Sequence, residues 1–259
     1  MGIAQPFDRA ETLRGLAAFY ASQDGAASDP YLAGKITLSS GHRELVDAYG
    51  KIRFALRDAG AVLDWGCRHG VFAWLARRDL PTAGIWGCDV CDPAPYSTLH
   101  GQSGLHYAQL AHPWLLPYTD HSFDVVLGGG TLEHVANDGA SLTELWRVLK
   151  PGGRLVLTHL PNATSLSEFV SRRWSPGRAH PRRYRLSPLR ERLLQLGFLP
   201  LRGGHHQLLP ATLPGAAGNA GKSRLVERAY AFNSALERLW PLNRLSTTLW
   251  IVAEKRLGF

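Results

Sequence analysis

Cysteine is scarce in this chain, with three among 259 residues, at Cys67, Cys88 and Cys91. So small and odd a number excludes a disulfide framework of the kind that staples small secreted domains. Long hydrophobic runs are also missing, and no apolar stretch approaches the roughly 18 residues that span a bilayer. Residues 1–15 lack the basic-then-apolar layout of a secretory leader. A disorder-prone composition is absent too, since 45% of the residues are hydrophobic and only 19% are charged. Together these absences lead to the expectation of a reduced, cytoplasmic protein with a substantial core. Acidic residues are the charged minority: 21 Asp and Glu against 29 Lys and Arg, for a formal net charge of +8. That excess favours anionic partners without choosing among phosphorylated metabolites, nucleic acid and a lipid surface.

What the chain does contain is alternation. Leu13, Leu16, Ala17 and Tyr20 are spaced as on a helix over residues 8–22, and a second helix is expected over about 42–58, after a loop at 25–30. From Gly60 onward, short apolar runs predict strands at 61–64, 85–90, 123–127, 154–159, 198–201 and 247–254. Helical spacing falls between them at 71–78, 139–149 and about 187–196. Lys150-Pro151-Gly152-Gly153 reads as a helix stop and turn. Strands and helices in this rhythm imply βαβ units and a mostly parallel sheet. The stretch 210–221, rich in Gly, Ala and Pro, reads as a mobile loop.

The strongest local signal is Val62-Leu63-Asp64-Trp65-Gly66-Cys67-Arg68-His69-Gly70. A strand running through Gly-x-x-x-Gly into a helix lets the backbone approach a ligand and offers unpaired N–H groups to it. Asp89 closes the next strand, where a carboxylate can accept ribose hydroxyls. A dinucleotide turn would need glycine at positions 68 and 71, where Arg68 and Val71 stand, so a nicotinamide dehydrogenase fits poorly.

Asp64-x-Gly66-x-Arg68-x-Gly70 instead resembles the first motif of class I S-adenosylmethionine-dependent methyltransferases, with Arg68 in place of the middle glycine. Three further segments resemble that family in order. They are Leu116-Pro117-Tyr118-Thr119-Asp120-His121-Ser122-Phe123-Asp124, Thr131-Leu132-Glu133-His134-Val135, and Glu144-Leu145 through Arg147 to Lys150-Pro151-Gly152-Gly153. The set covers about residues 60–160 and is most similar to the branch that includes quinone-biosynthesis and many sugar and natural-product enzymes.

The resemblance implies an α/β, Rossmann-like, seven-stranded mostly parallel sheet with helices on both faces and an N-terminal helical cap. It divides the chain into a cap at 1–58 and a methyltransferase region at 59–259, with substrate-side insertions near 163–186 and 204–224. It implies S-adenosylmethionine as cofactor and S-adenosylhomocysteine as product. By position, Asp64, Gly66, Cys67 and Gly70 should line the methionine side, and Asp89 with Val90 the ribose. The usual adenine position falls on His112, before a proline without an N–H, so Gln109 and Leu110 are assigned the adenine side. Gly128, Gly129 and Gly130 should leave room beside the cofactor.

A sulfonium donor is already activated, so the protein must chiefly align the acceptor, and needs a base only when the acceptor loses a proton. His134 and His159 sit at the expected ligand edge. Each is weighed between base and packing histidine, and together they favour a hydroxyl acceptor. Arg172, Arg173, Arg178, Arg182, Arg183, Arg185, Arg190 and Arg192 crowd one stretch, interleaved with Trp174, His180 and Tyr184. His180, Arg183 and Tyr184 are assigned to substrate binding. A small-molecule or lipid-linked acceptor of anionic character fits these forks, with a solvated basic surface as the alternative.

Nucleic acid is disfavoured, because no Asn/Asp-Pro-Pro-Tyr signature follows the fourth strand and no RNA module is left over. Cys88 and Cys91 lack a second cysteine pair, and His205-His206 reads as an exposed loop pair, so no metal is expected. Phe7, Phe19, Tyr20 and Tyr31 supply aromatic surface to the cap. Val226, Tyr230, Phe232, Leu236 and Trp240 form an apolar stripe, read as core, dimer contact or a peripheral membrane contact. The expected activity is methyl transfer to oxygen. Its alternatives are methylation at carbon or nitrogen, and a pseudoenzyme that binds the cofactor and regulates a partner.

Overall fold

Short apolar runs that end in glycine or a polar residue become the centre of one sheet. The computed structural model describes residues 7–22, 39–174, 180–209, 211 and 220–258; Tyr31, Arg178, the loop at 25–30 and most of 210–221 lie outside these. Strand β1 (Ala61–Trp65) pairs in parallel with β2 (Gly84–Asp89) and β4 (Phe123–Gly129). Strand β3 (Leu105–Gln109) adds to β2, and β5 (Leu149–Pro161) adds to β4, both in parallel. Strand β7 (Thr248–Lys255) runs antiparallel between β5 and β6 (Phe198–His206). The order is β3-β2-β1-β4-β5-β7-β6. It reverses direction between β1 and β4, the place where open α/β sheets hold ligands.

Alternation along β1 builds a core on each face, because successive side chains point to opposite sides. Val62 packs with Leu16, Phe19, Leu45, Phe72 and Leu75 from α1 (Arg9–Ala21), α2 (Ser39–Ile52) and α3 (Val71–Asp79). Leu63 packs with Leu142, Leu145, Leu189 and Leu193 from α5 (Asp138–Val148) and α7 (Leu186–Gln195). Each such side chain, once fully buried, contributes about 1.5–3 kcal/mol. The N-terminal helices thus share a core with the sheet, and the Phe19 ring lies 5.2 Å from that of Trp74. Asp8 starts α1 by accepting from the Glu11 N–H, and Asn137 starts α5 through Ala140. The remaining helices are α4 (Ser97–Ser103), α6 (Leu166–Trp174), α8 (Ala220–Ala231) and α9 (Asn233–Leu236).

Several expectations change here. Strand β3 is half-exposed at the sheet edge and too polar to show an apolar run. Helix α5 stops at Val148, and Lys150 to Gly153 belong to β5, where Leu149 pairs with Phe123 across a register shift, with Gly152 at φ +75°. Strand β6 extends to His206, so the histidine pair sits on a strand rather than a loop. The stripe at 225–240 is not one face: α8 ends before Phe232, Val226 and Tyr230 are buried, and Phe232 and Trp240 are exposed. Lys255 is buried, and its Nζ donates to the carbonyls of Trp146 and Leu149 at 2.7 Å each. Among the described residues, no helix is long and apolar enough to cross a membrane.

Candidate active site

The chain leaves β1 through Gly66 at φ +70°, where a side chain would collide with Thr131, its Cβ falling 2.3 Å from Cγ2. The Gly66 N–H donates to Cys88 O at 2.8 Å, tying the ends of β1 and β2 together. Arg68 adopts φ +44°, so the backbone keeps the left-handed path that the missing glycine would follow. Such a conformation costs a non-glycine residue about 1–3 kcal/mol and needs external support. Support comes from the Arg68 N–H donating to Asp89 Oδ2 at 2.9 Å and from His100 Nε2 at 2.7 Å from the Arg68 carbonyl. Gly70, at φ +78°, then opens α3. Tyr20 of α1 covers the loop, its hydroxyl 3.0 Å from His69 Nε2.

Two residues assigned to the methionine side turn inward. Asp64 is buried and accepts from the Ala73 N–H at 2.9 Å, pinning the start of α3 to β1, and burial pushes its carboxyl up to about 7. The Cys67 thiol is buried toward Gly87, where an added Cβ would meet its Sγ at 2.8 Å, and desolvation raises its pKa well above the usual range. Gly129 makes room for protein rather than cofactor, because a Cβ there would fall 2.3 Å from the Phe72 ring.

The ribose and adenine positions converge. Asp89 Oδ2 takes the Arg68 N–H and Oδ1 the Cys91 N–H at 3.1 Å, leaving lone pairs for hydroxyl donors. Val90 is 64% exposed beside it and offers a flat apolar surface. Gln109 Nε2 donates to Val90 O at 3.3 Å, and the Leu110 N–H donates to Asp89 O at 2.7 Å.

The other side of the switch point carries charge. His159 sits at φ +59° inside β5, where pairing with β7 shifts between Leu157 and Leu160, and its Nε2 lies 2.6 Å from Glu44 Oε1 of α2. Its imidazole is 13% exposed and sits edge-on to Phe72, with ring centroids 5.7 Å apart. His206, expected in an exposed pair, is buried with Nδ1 2.9 Å from Glu237 Oε1 and Nε2 3.6 Å from Glu44 Oε1. Burial would lower its pKa, but Glu237 and Glu44 outweigh this and lift it to about 9. Burial likewise opposes ionisation of Glu237, yet His206 and Lys51 bring it down to about 2. No sequence pattern announced this network, which joins α2, β5, β6 and the turn after α9.

His134 is 61% exposed, so it is not a packing histidine. Glu133 beside it is buried, and burial pushes its carboxyl up to about 7. Of the residues assigned to substrate, Tyr184 is structural: it is buried and its hydroxyl donates to Leu132 O at 3.1 Å. Arg183 is half-buried, whereas Arg182 donates to Ala136 O at 3.1 Å and braces the turn that holds His134. Arg192 forks onto Asp138 at 2.7 and 2.9 Å. The basic cluster is therefore partly internal bracing. His180 Nδ1 lies 2.6 Å from Glu168 Oε1. All three cysteines are free.

Residues 63–157 match the family described as methyltransferase domain. This stretch is similar to class I S-adenosylmethionine-dependent methyltransferase domains. Its four motifs coincide with the turn at Gly66, the entry to β4, the 131–135 turn and the α5–β5 junction.

The chain is 33% identical over 122 residues to a 2-phytyl-1,4-naphtoquinone methyltransferase from Synechocystis, covering 44% of this chain and 50% of that protein. It is 33% identical over 104 residues to a ubiquinone/menaquinone biosynthesis C-methyltransferase from Desulfotalea psychrophila, covering 38% and 40%. To a malonyl-[acyl-carrier protein] O-methyltransferase from Erwinia billingiae it is 33% identical over 125 residues, covering 46% of each. The chain thus spans half or less of the length of these relatives. The fold is shared with the YcgJ protein from Bacillus subtilis, with a TM-score of 0.55, 22% identity, and 84% of this chain and 100% of that one covered.

Proposed function

We propose that this chain transfers a methyl group from S-adenosylmethionine to a hydroxyl of a small or lipid-linked acceptor, with His159 as proton acceptor and Glu44 as its orienting partner. One observation carries the reading: His159 Nε2 and Glu44 Oε1, 2.6 Å apart, at the carboxyl end of β5 beside the nucleotide-binding turn. A base beside a carboxylate that stabilises its protonated form suits deprotonation of an acceptor. The cofactor supplies an electrophilic methyl on sulfur, and the chain supplies position and proton removal.

Asp89 would hold the ribose, Val90, Gln109 and Leu110 the adenine, and the 66–70 backbone the methionine end. The cap is part of this function, because α2 contributes Glu44. Three free thiols suit a reduced, cytoplasmic setting. Methylation at carbon is the second reading, supported by the relative described as a C-methyltransferase, and the same base would serve a phenolic acceptor. Incubation with labelled methyl donor and acceptor pools, hydroxylated sugars, glycolipids and quinols among them, followed by product analysis, separates the two. Glu44→Gln should lower kcat by about 10² while cofactor affinity stays within about threefold. Unchanged turnover at neutral pH removes the base.

A further inference from the structure

We infer that Glu133, His134 and His180 form a binding site for one divalent transition-metal ion of the zinc, cobalt or manganese class. Each offers one ligand atom, and these atoms all lie within 4.8 Å of one another, the one such group among the described residues. Two imidazoles and one carboxylate suit zinc-like ions, whereas magnesium and calcium prefer all-oxygen shells.

Three details go beyond proximity. Glu133 is 3% exposed, and its Oε2 has no hydrogen-bond partner, which is costly for a buried carboxylate unless a cation answers it. His180 is oriented as metal-binding imidazoles are: Glu168, itself buried, takes Nδ1 at 2.6 Å, leaving Nε2 as the ligand atom. Glu168 Oε2 also accepts the His180 N–H at 3.3 Å, so backbone and ring are fixed by one carboxylate. His134 Nε2 lies 3.8 Å from Glu133 Oε1 on the solvent side, so an ion held here keeps coordination positions open.

The location bears on chemistry. A Cβ placed on Gly130 would fall 3.6 Å from both Glu133 Oε1 and the His159 Cβ, so the cluster adjoins the proposed base. Resting on the methyl-transfer reading, an ion here would bind the acceptor hydroxyl and lower its pKa, sharing with His159 the work of making an alkoxide. In the sequence only the cysteines and the His205-His206 pair stand out as possible ligands. Glu133 and His134 adjoin in the chain, but His180 reaches them only through the fold.

The test uses the full chain, free of any tag and stripped of metal by chelation. Cobalt titration should give a visible absorption band saturating at one equivalent and displaced by zinc. His180→Ala and Glu133→Gln should each weaken binding by at least about 30-fold, and Glu168→Gln by about 10-fold or more. His134→Ala guards against misfolding, since the side chain is exposed: affinity should fall by about 10-fold with the melting temperature unchanged. Absence of the band, or a band of equal affinity in His134→Ala and His180→Ala, overturns the site. Calorimetry with S-adenosylmethionine on the same metal-free sample keeps the two proposals apart. Loss of the cobalt band with cofactor binding intact defeats the metal site alone, and loss of cofactor binding defeats the transferase reading.

Discussion

The two sides of the switch point are built from different materials. On the β2–β3 side, the ligand positions are mostly backbone: a left-handed glycine, a left-handed arginine held by Asp89, and N–H groups at the ends of strands. On the β5–β6 side, the positions are side chains that meet from far apart in the chain, Glu44 with His159 and His206 with Glu237. Backbone placement leaves few ways to differ, which suits a donor common to a family. Side-chain placement can be rebuilt one residue at a time, which suits an acceptor that changes between members.

If that division holds, variants on one side should move cofactor affinity and variants on the other should move turnover. The largest effect is expected for Gly66→Ala, which adds left-handed strain to the collision with Thr131 and should weaken cofactor binding roughly 10³-fold in calorimetry. A second change, Thr131→Gly, should restore part of that loss by removing the collision. His159→Ala should lower kcat by about 10² with cofactor affinity unchanged, and a parallel loss of affinity would erase the distinction between the sides. Asp89→Ala should weaken the cofactor by about 10–100-fold, with turnover near normal at saturation.

His206→Gln tests stability instead. The folded pKa of His206 is raised from 6.5 to about 9, so its contribution is complete below 6.5 and disappears as pH rises toward 9. Glu237 is lowered from 4.5 to about 2, so its contribution is complete above 4.5 and disappears as pH falls. Both are therefore in place between pH 4.5 and 6.5. There His206→Gln should cost on the order of 2 kcal/mol in denaturant titration and flatten the alkaline decline. The smallest effect is expected for Gln109→Ala, a loss of about three- to tenfold in cofactor affinity; an unchanged dissociation constant would withdraw Gln109 from the adenine side.

The same division explains what could be read in advance. The turn at Gly66 and the carboxylate at Asp89 are local, set by a few neighbouring residues at fixed spacing, and the apolar run at 61–64 already marked the strand that leads into them. Strand β3 was illegible because an edge strand exposes His106 and Gln109 and leaves no apolar run. The partner of His159 was illegible because Glu44 lies on another helix, 115 positions earlier, inside a stretch read only as cap. Arg68 looked like a defect in the motif, and only the contacts of its N–H and carbonyl show how an arginine keeps a glycine-like path.

Strand β7 fills the gap between β5 and β6 although it is made after both. A growing polypeptide that has left the ribosome only as far as β6 therefore carries two strand edges facing an empty slot, with unanswered N–H and carbonyl groups. The Lys255 ammonium that reaches the end of α5 arrives with the last residue of that strand. Completion of this sheet must wait for translation past residue 255, and until then the side of β5 away from β4 stays open.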